Sequence, residues 1–420
     1  MALKTALLWG GAQTAIRMTL SFVSIKVTAV YLGPAGLALV GQLGNFLSLL
    51  QGALGNAIQT GVVKMTAESA GDQGRLQALW GTSLRLAIGL GVVAALIVGV
   101  AAVPLSSWLL GDRDHWPVMV LAGGCIPLML ANLVFTGALN GLKQINAMGI
   151  AAIASALLGS LVFIPLCYAY GISGGLIGTV LSYGMSFAVA VVSVSRSGEI
   201  RLGNFFTGWH GGVATGLIAF YPMLLVHSVA EPASLLLVRD ALANNLGLEQ
   251  AGFWQATWRL SDMYTMVLTT AMSMYLMPHL SSIGDDRTFG RELGRTVLLV
   301  ALLTGSAAAA LYLLRGAVIA VVFTPQFDPV RDMLVYQLIG DIFKMAGWPI
   351  RMALVIKMRV VWYMFIEAGV AVTQIGLTYC WLPKMGTQAA TAAYAVAWGG
   401  TLLLLIFVFK EPLHGLLRKA

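Results

Sequence analysis

Apolar stretches of about twenty residues or more recur along the whole chain, separated by short gaps. The pattern predicts about twelve membrane-spanning helices, roughly over 6–32, 36–63, 77–103, 117–141, 147–170, 174–194, 212–238, 248–280, 293–322, 332–356, 360–382 and 387–409. The stretches 104–116, 195–211 and 281–292 read as the longest loops, and none could house a soluble domain.

Polar residues inside the spans keep to particular sides. "AIRMTLSFVSIKVTAVYL" (15–32) puts Arg17 and Lys26 within a span, where an unpaired charge costs about 3 kcal/mol. On a helix Gln13, Arg17, Ser21, Ser24 and Thr28 fall within about 40° of one another, whereas Lys26, nine residues from Arg17, points to the opposite side. In the next span Gln42, Asn45, Ser48, Gly52, Asn56 and Gln59 share one side, and Phe46, Leu47, Leu50 and Leu54 cover the other. The span over 248–280 has a similar polar side with Gln255, Arg259 and Asp262, the last two close enough to pair. Pro222 and Pro232 predict a kinked or broken span just before it. These polar faces are expected to line a wet cleft, because broken or polar helices are tolerated in a bilayer only beside protein or water.

Further ionisable groups are candidates for charge pairing or ion coupling. Asp341, Lys344 and Arg351 lie along one side of the span over 332–356, with Asp341 and Lys344 at a spacing that allows mutual neutralisation. Glu367 sits in the following span, and Glu231 lies beside Pro232.

Composition agrees with a membrane-embedded chain. Of its 420 residues 58% are hydrophobic and 10% charged, and the mean hydropathy is +0.84. The formal net charge of +8 comes from basic residues scattered between spans, a pattern of topology rather than of nucleic-acid binding. Placing the N-terminus in the cytoplasm collects about fourteen Lys and Arg on that side against about four on the other, so both termini are expected inside. Cys125, Cys167 and Cys380 fall in apolar runs with no metal-ligand spacing and are expected to be buried small hydrophobes. No phosphate-cradling Gly-rich loop occurs, and the 48 glycines are spread as helix-packing residues.

A faint internal echo relates "LGPAGLALVGQLGN" to "LEQAGFWQATWRLS", aligned on Ala35-Gly36 and Ala251-Gly252. Such an echo suggests two six-helix lobes, over 1–205 and 206–420, around a central cavity. A cavity whose deep charges lean positive suits an anion, and arginine's planar fork matches phosphate oxygens.

Four stretches then carry a resemblance: "AVYLGPAGLALVGQ" (29–42), "FWQATWRLSDMY" (253–264), "MYLMPHLSSI" (274–283) and "RDMLVYQLIGDIFKMAG" (331–347). With them the chain resembles the polysaccharide-transporter and O-antigen flippase family, including flippases of enterobacterial common antigen assembly. That family belongs to the MOP superfamily with the multidrug and toxin extrusion (MATE) transporters. The resemblance implies an all-α MATE-like fold in the bacterial inner membrane. It also implies alternating access that moves an undecaprenyl-pyrophosphate-linked oligosaccharide to the periplasmic leaflet. Its implied pyrophosphate-binding residues are Arg17, Lys26 and Arg259, with Gln13, Gln42, Asn45, Asn56, Gln59 and Gln255 lining the cavity. No cofactor or nucleic acid is expected. Coupling to membrane potential, H+ or Na+ is open, and a glycan polymerase and chain-length regulator are candidate partners beside membrane lipid. Two other readings are a MATE-type cation-coupled exporter, which would favour an acidic cavity, and a membrane glycan polymerase, which would need a larger outer loop.

Overall fold

The computed structural model describes residues 2–283, 285–356 and 360–408, and among them no strand occurs. The helices are α1 (Ala2–Tyr31), α2 (Gly33–Glu68), α3 (Gln73–Val100), α4 (Ala102–Leu110), α5 (Trp116–Gly141), α6 (Ile145–Arg196) and α7 (Gly211–Ile218). There follow α8 (Tyr221–Leu246), α9 (Leu248–Ser281), α10 (Asp286–Leu313), α11 (Arg315–Val322), α12 (Val330–Ile356), α13 (Val360–Met385) and α14 (Gln388–Val408). α6 is two helical arms joined at Gly171, whose φ of 57° and ψ of −134° favour a residue without a Cβ. With those arms counted separately, the described residues hold twelve helical segments long enough to span a bilayer at about 1.5 Å per residue. The chain is a multi-pass membrane protein.

Seven of these helices, α6 counted once, are also apolar enough by composition to cross a membrane. The long helices outside that set are α1, α8, α9 and α12. They carry Arg17 and Lys26, then Glu231, Arg239 and Asp240, then Arg259 and Asp262, and finally Asp341, Lys344 and Arg351. The same polar residues that lower their hydropathy are the ones singled out above, so these spans need protein or water on their polar sides.

Local chemistry explains several boundaries. Asp72 caps α3 by accepting from the Arg75 amide at 3.0 Å. Asp285 caps α10: the Thr288 hydroxyl and then its amide N–H hold the Asp285 carboxyl below the usual range. A break falls between α7 and α8, just before Pro222, as expected, whereas α8 runs continuously through Pro232. The expected loop over 104–116 is a correction, because its first half is α4. Buried Ala102, Ser106, Leu109 and Leu110 recur at helical spacing, Pro104 is tolerated in the first turn, and Gly111 ends the helix at φ 71°. Cys125 and Cys167 are buried as expected, but Cys380 is exposed, on the side of α13 that also exposes Val372 and Tyr379.

Contacts divide the chain into two compact units, Met1–Ala233 and Ser234–Ala420. In the first, α5 packs against α2, α3 and α6, and α1 packs against α6. Gly55, Gly137 and Gly141 let α2 and α5 approach until side chains of one meet the other's backbone surface: a Cβ on Gly141 would fall 2.8 Å from the Val63 carbonyl oxygen. In the second unit α12 packs against α9, α10 and α14, and α13 against α14. Leu280, Phe289, Leu293, Ile350, Leu354, Tyr363 and Leu405 form one of its buried clusters.

Candidate functional site

In the first unit the polar residues of α1 and α2 separate into paired and unpaired groups. Arg17 is exposed on α1 and Lys26, on the other side, is half-buried. Thr28 turns back on its own helix, donating to the Ser24 carbonyl at 2.7 Å. The side chain of Gln13 lies outside the described residues. On α2, Asn56 Nδ2 donates to Ser228 Oγ of α8 at 3.0 Å, and Gln59 Nε2 donates to Thr136 Oγ1 of α5 at 3.2 Å. Both residues are half-buried and tie helices together. Gln42 is buried. Asn45 Nδ2 is buried without a hydrogen-bond partner among the described residues, a donor left for a ligand or water.

The second unit holds a dense cluster on α9, α12, α13 and α14. Asp341 is fully buried. Ser261 Oγ lies 2.6 Å from both of its carboxylate oxygens, Tyr264 donates to Oδ2 at 2.7 Å, and Tyr394 donates to Oδ1 at 2.9 Å. Gln337 Nε2 lies 3.4 Å from Oδ1 and 3.2 Å from Ser261 Oγ. A buried carboxyl must have its hydrogen-bonding capacity filled, so this ring of hydroxyl and amide groups is what its burial requires.

One turn along α12 the Lys344 ammonium lies 5.2 Å from the ring centre of Trp258 and 5.6 Å from that of Trp398. Trp398 also carries the Arg351 guanidinium, 4.6 Å from its centre. Arg351 Nη1 donates to Glu367 Oε1 of α13 at 2.6 Å. Arg239 of α8 is buried, stacks over Trp254 at 5.6 Å and donates to Gln255 Oε1.

These positions revise the expected pairings. No ion pair joins Arg259 to Asp262 among the described residues. The two stand about 60° apart around α9, which leaves Arg259 half-buried and turns Asp262 to the exposed side. Glu231 is likewise exposed. Sequence reasoning placed Arg351 and Glu367 in separate spans without joining them, and it did not mark Ser261, Tyr264, Tyr394 or Trp398. A signal was present in the helical spacing of Trp254, Trp258 and Ser261 and of Tyr394 and Trp398. The partners of Trp258, Ser261, Tyr394 and Trp398 lie on α12, beyond the reach of single-helix periodicity.

Comparison with known proteins follows the same lines. The family described as polysaccharide biosynthesis protein matches residues 32–332. Lipid III flippases of Escherichia coli (strain K12) and of Shigella flexneri are each 27% identical to the chain over 395 residues, covering 94% of it and 95% of their own length. Among solved structures, the fold resembles an inward-facing MATE multidrug transporter of the MOP superfamily, with a TM-score of 0.75 and 13% identity over 98% of this chain and 99% of that one. It also resembles the lipid II flippase MurJ in an inward closed conformation, with a TM-score of 0.73 and 12% identity over 98% of this chain and 89% of that one.

Proposed function

The chain belongs to the polysaccharide biosynthesis protein family, and from that premise we propose that it is a flippase for an undecaprenyl-pyrophosphate-linked oligosaccharide. The nearly full-length match to lipid III flippases carries this reading. The cargo is an O-antigen or enterobacterial common antigen repeat unit, moved by alternating access from the cytoplasmic to the periplasmic leaflet of the bacterial inner membrane. Both termini are cytoplasmic, and the protein itself makes and breaks no covalent bond.

The physical task is confined to the head. Sugars and pyrophosphate cannot cross about 30 Å of hydrocarbon, whereas the polyprenyl tail stays in lipid throughout. Arg17 of α1 and Arg259 of α9 are each a candidate pyrophosphate contact, with a planar fork suited to phosphate oxygens, and Lys26 is a candidate for a later state. Asn45, with its orphaned amide, offers a hydrogen bond to hydroxyl-rich sugars. A head with about two negative charges crossing the whole field outward, unaccompanied by cations, gains up to about 4.6 kcal/mol across about 100 mV, so no ATP site is required. Asp341 is the acid best placed to add H+ or Na+ coupling, because it is fully buried among hydroxyls.

Complementation tests the reading. Arg17→Ala and Arg259→Ala, confirmed as inserted and folded, are expected to abolish surface glycan assembly in a strain lacking the chromosomal copy; normal assembly contradicts the assignment. Drug tolerance that depends on Asp341, with glycan assembly untouched, would instead favour a MATE-type exporter.

A further inference from the structure

The face of α3 that looks outward is a continuous stripe: positions 85, 88, 89, 92, 93, 96, 97 and 100 are all exposed, at the spacing of one helix side. Seven of them are apolar or glycine, with Leu96 and Ile97 each 64% exposed and Val100 90% exposed. An exposed stripe that is apolar or glycine at seven of its eight positions faces lipid on a spanning helix. Its first member is Arg85. Among the described residues Arg85 has neither an ion pair nor a hydrogen bond, although it stands twelve residues, or about 18 Å, into the helix.

Below Arg85 the same side of α3 is covered. The strap 202–210 lies along it, with Thr207 Oγ1 donating to the Gln77 carbonyl at 2.5 Å and Gln77 Nε2 reaching Asn204 Oδ1 at 3.4 Å. The His210 amide donates to Thr82 Oγ1 at 3.1 Å, and Phe205 stacks on Trp80 with ring centres 5.2 Å apart. At Gly81 the strap is so close that a Cβ would strike Thr207, so this contact needs glycine. The strap reaches Thr82, one turn before Arg85, and continues into α7, which packs against α2 and α3. It leaves Phe206 70% exposed and Trp209 53% exposed. Exposed aromatic rings on a fixed polar segment belong at the level of lipid headgroups.

Arg85 thus emerges at the seam between an interfacial strap and a lipid-facing stripe, where an exposed guanidinium without a protein partner attracts an anion at the headgroup level. We infer that Arg85 is the binding group for the phosphate of an anionic phospholipid, in the leaflet at the α2–α3 end of the molecule. The neighbouring aromatic strap borders the headgroup, and the acyl chains run up the stripe from Ile88 to Val100. The inference needs only that the chain spans a membrane, and it concerns bulk lipid rather than the transported cargo. Glu199 and Arg201, the charged residues just before the strap, are both exposed, and neither is paired with Arg85.

Native mass spectrometry of the full-length protein in detergent, titrated with phosphatidylglycerol or phosphatidylcholine, tests this. The wild type is expected to bind its first phosphatidylglycerol about fivefold more tightly than phosphatidylcholine, the size of one basic contact at an anionic surface. Arg85→Gln should bring that ratio to about one, whereas Arg85→Lys, which keeps the charge, and Arg75→Gln, which removes an exposed cation already paired with Asp72, should keep it. An unchanged ratio in Arg85→Gln overturns the inference. So does an equal loss in Arg75→Gln, which would mean diffuse surface charge, or loss of the preference on adding inorganic phosphate, which would mean a free-phosphate site.

Discussion

Arg351 donates a 2.6 Å hydrogen bond to Glu367, and both side chains are buried. Removing one partner leaves the other as an uncompensated buried charge, while removing both leaves none. Glu367→Ala is therefore expected to cost about 3 to 5 kcal/mol, and the double change Arg351→Met with Glu367→Leu is expected to cost far less. Unfolding free energies from detergent titration read the difference. Equal losses in the two proteins would mean that the pair contributes only packing.

Gly52 tests the close approach of α2 and α8. A Cβ there would press on the Ser228 carbonyl oxygen, whereas Gly44, two turns earlier on α2, has nothing within 4 Å. Gly52→Ala is expected to destabilise the protein by about 1 to 3 kcal/mol through overpacking, with Gly44→Ala close to neutral. The same titration checks both.

Asp341 separates structural from transport roles. Asp341→Ala strips the acceptor from the Ser261, Tyr264 and Tyr394 hydroxyls, each costing about 1 to 3 kcal/mol if left unpaired. Asp341→Asn keeps an acceptor oxygen and much of the shape, so it should be the more stable variant. If Asp341 couples ion movement to flipping, Asp341→Asn folds yet fails to restore surface glycan; full restoration would confine Asp341 to holding α9, α12 and α14 together.

The two cations of α1 should behave differently. Arg17 is exposed and Lys26, on the opposite side, is half-buried. Arg17→Glu is expected to block glycan assembly and Lys26→Glu to reduce it more mildly, as measured by surface glycan at matched expression. The reverse order would move the pyrophosphate grip to Lys26.

The spans were legible because their signal is local: twenty apolar residues announce themselves, and even the break at Gly171 falls in the gap predicted between two spans. α4 was missed because Pro104 reads as a breaker, although a first turn tolerates it. The polar side of α2 was visible in Asn56 and Gln59, but not that Ser228 and Thr136 would occupy them. Likewise Arg259 and Asp262 are neighbours in spacing and not in contact, while Arg351 and Glu367 are the pair that forms. Periodicity assigns a residue to a side of its helix, but its partner depends on which helix packs there.

The most direct measurement locates the lipid-linked oligosaccharide in a strain lacking this protein. A flippase leaves the undecaprenyl-pyrophosphate-linked repeat unit in the cytoplasmic leaflet, shielded from membrane-impermeant sugar-modifying reagents, until the wild-type chain is restored. Accumulation of unpolymerised units on the periplasmic face would contradict the account.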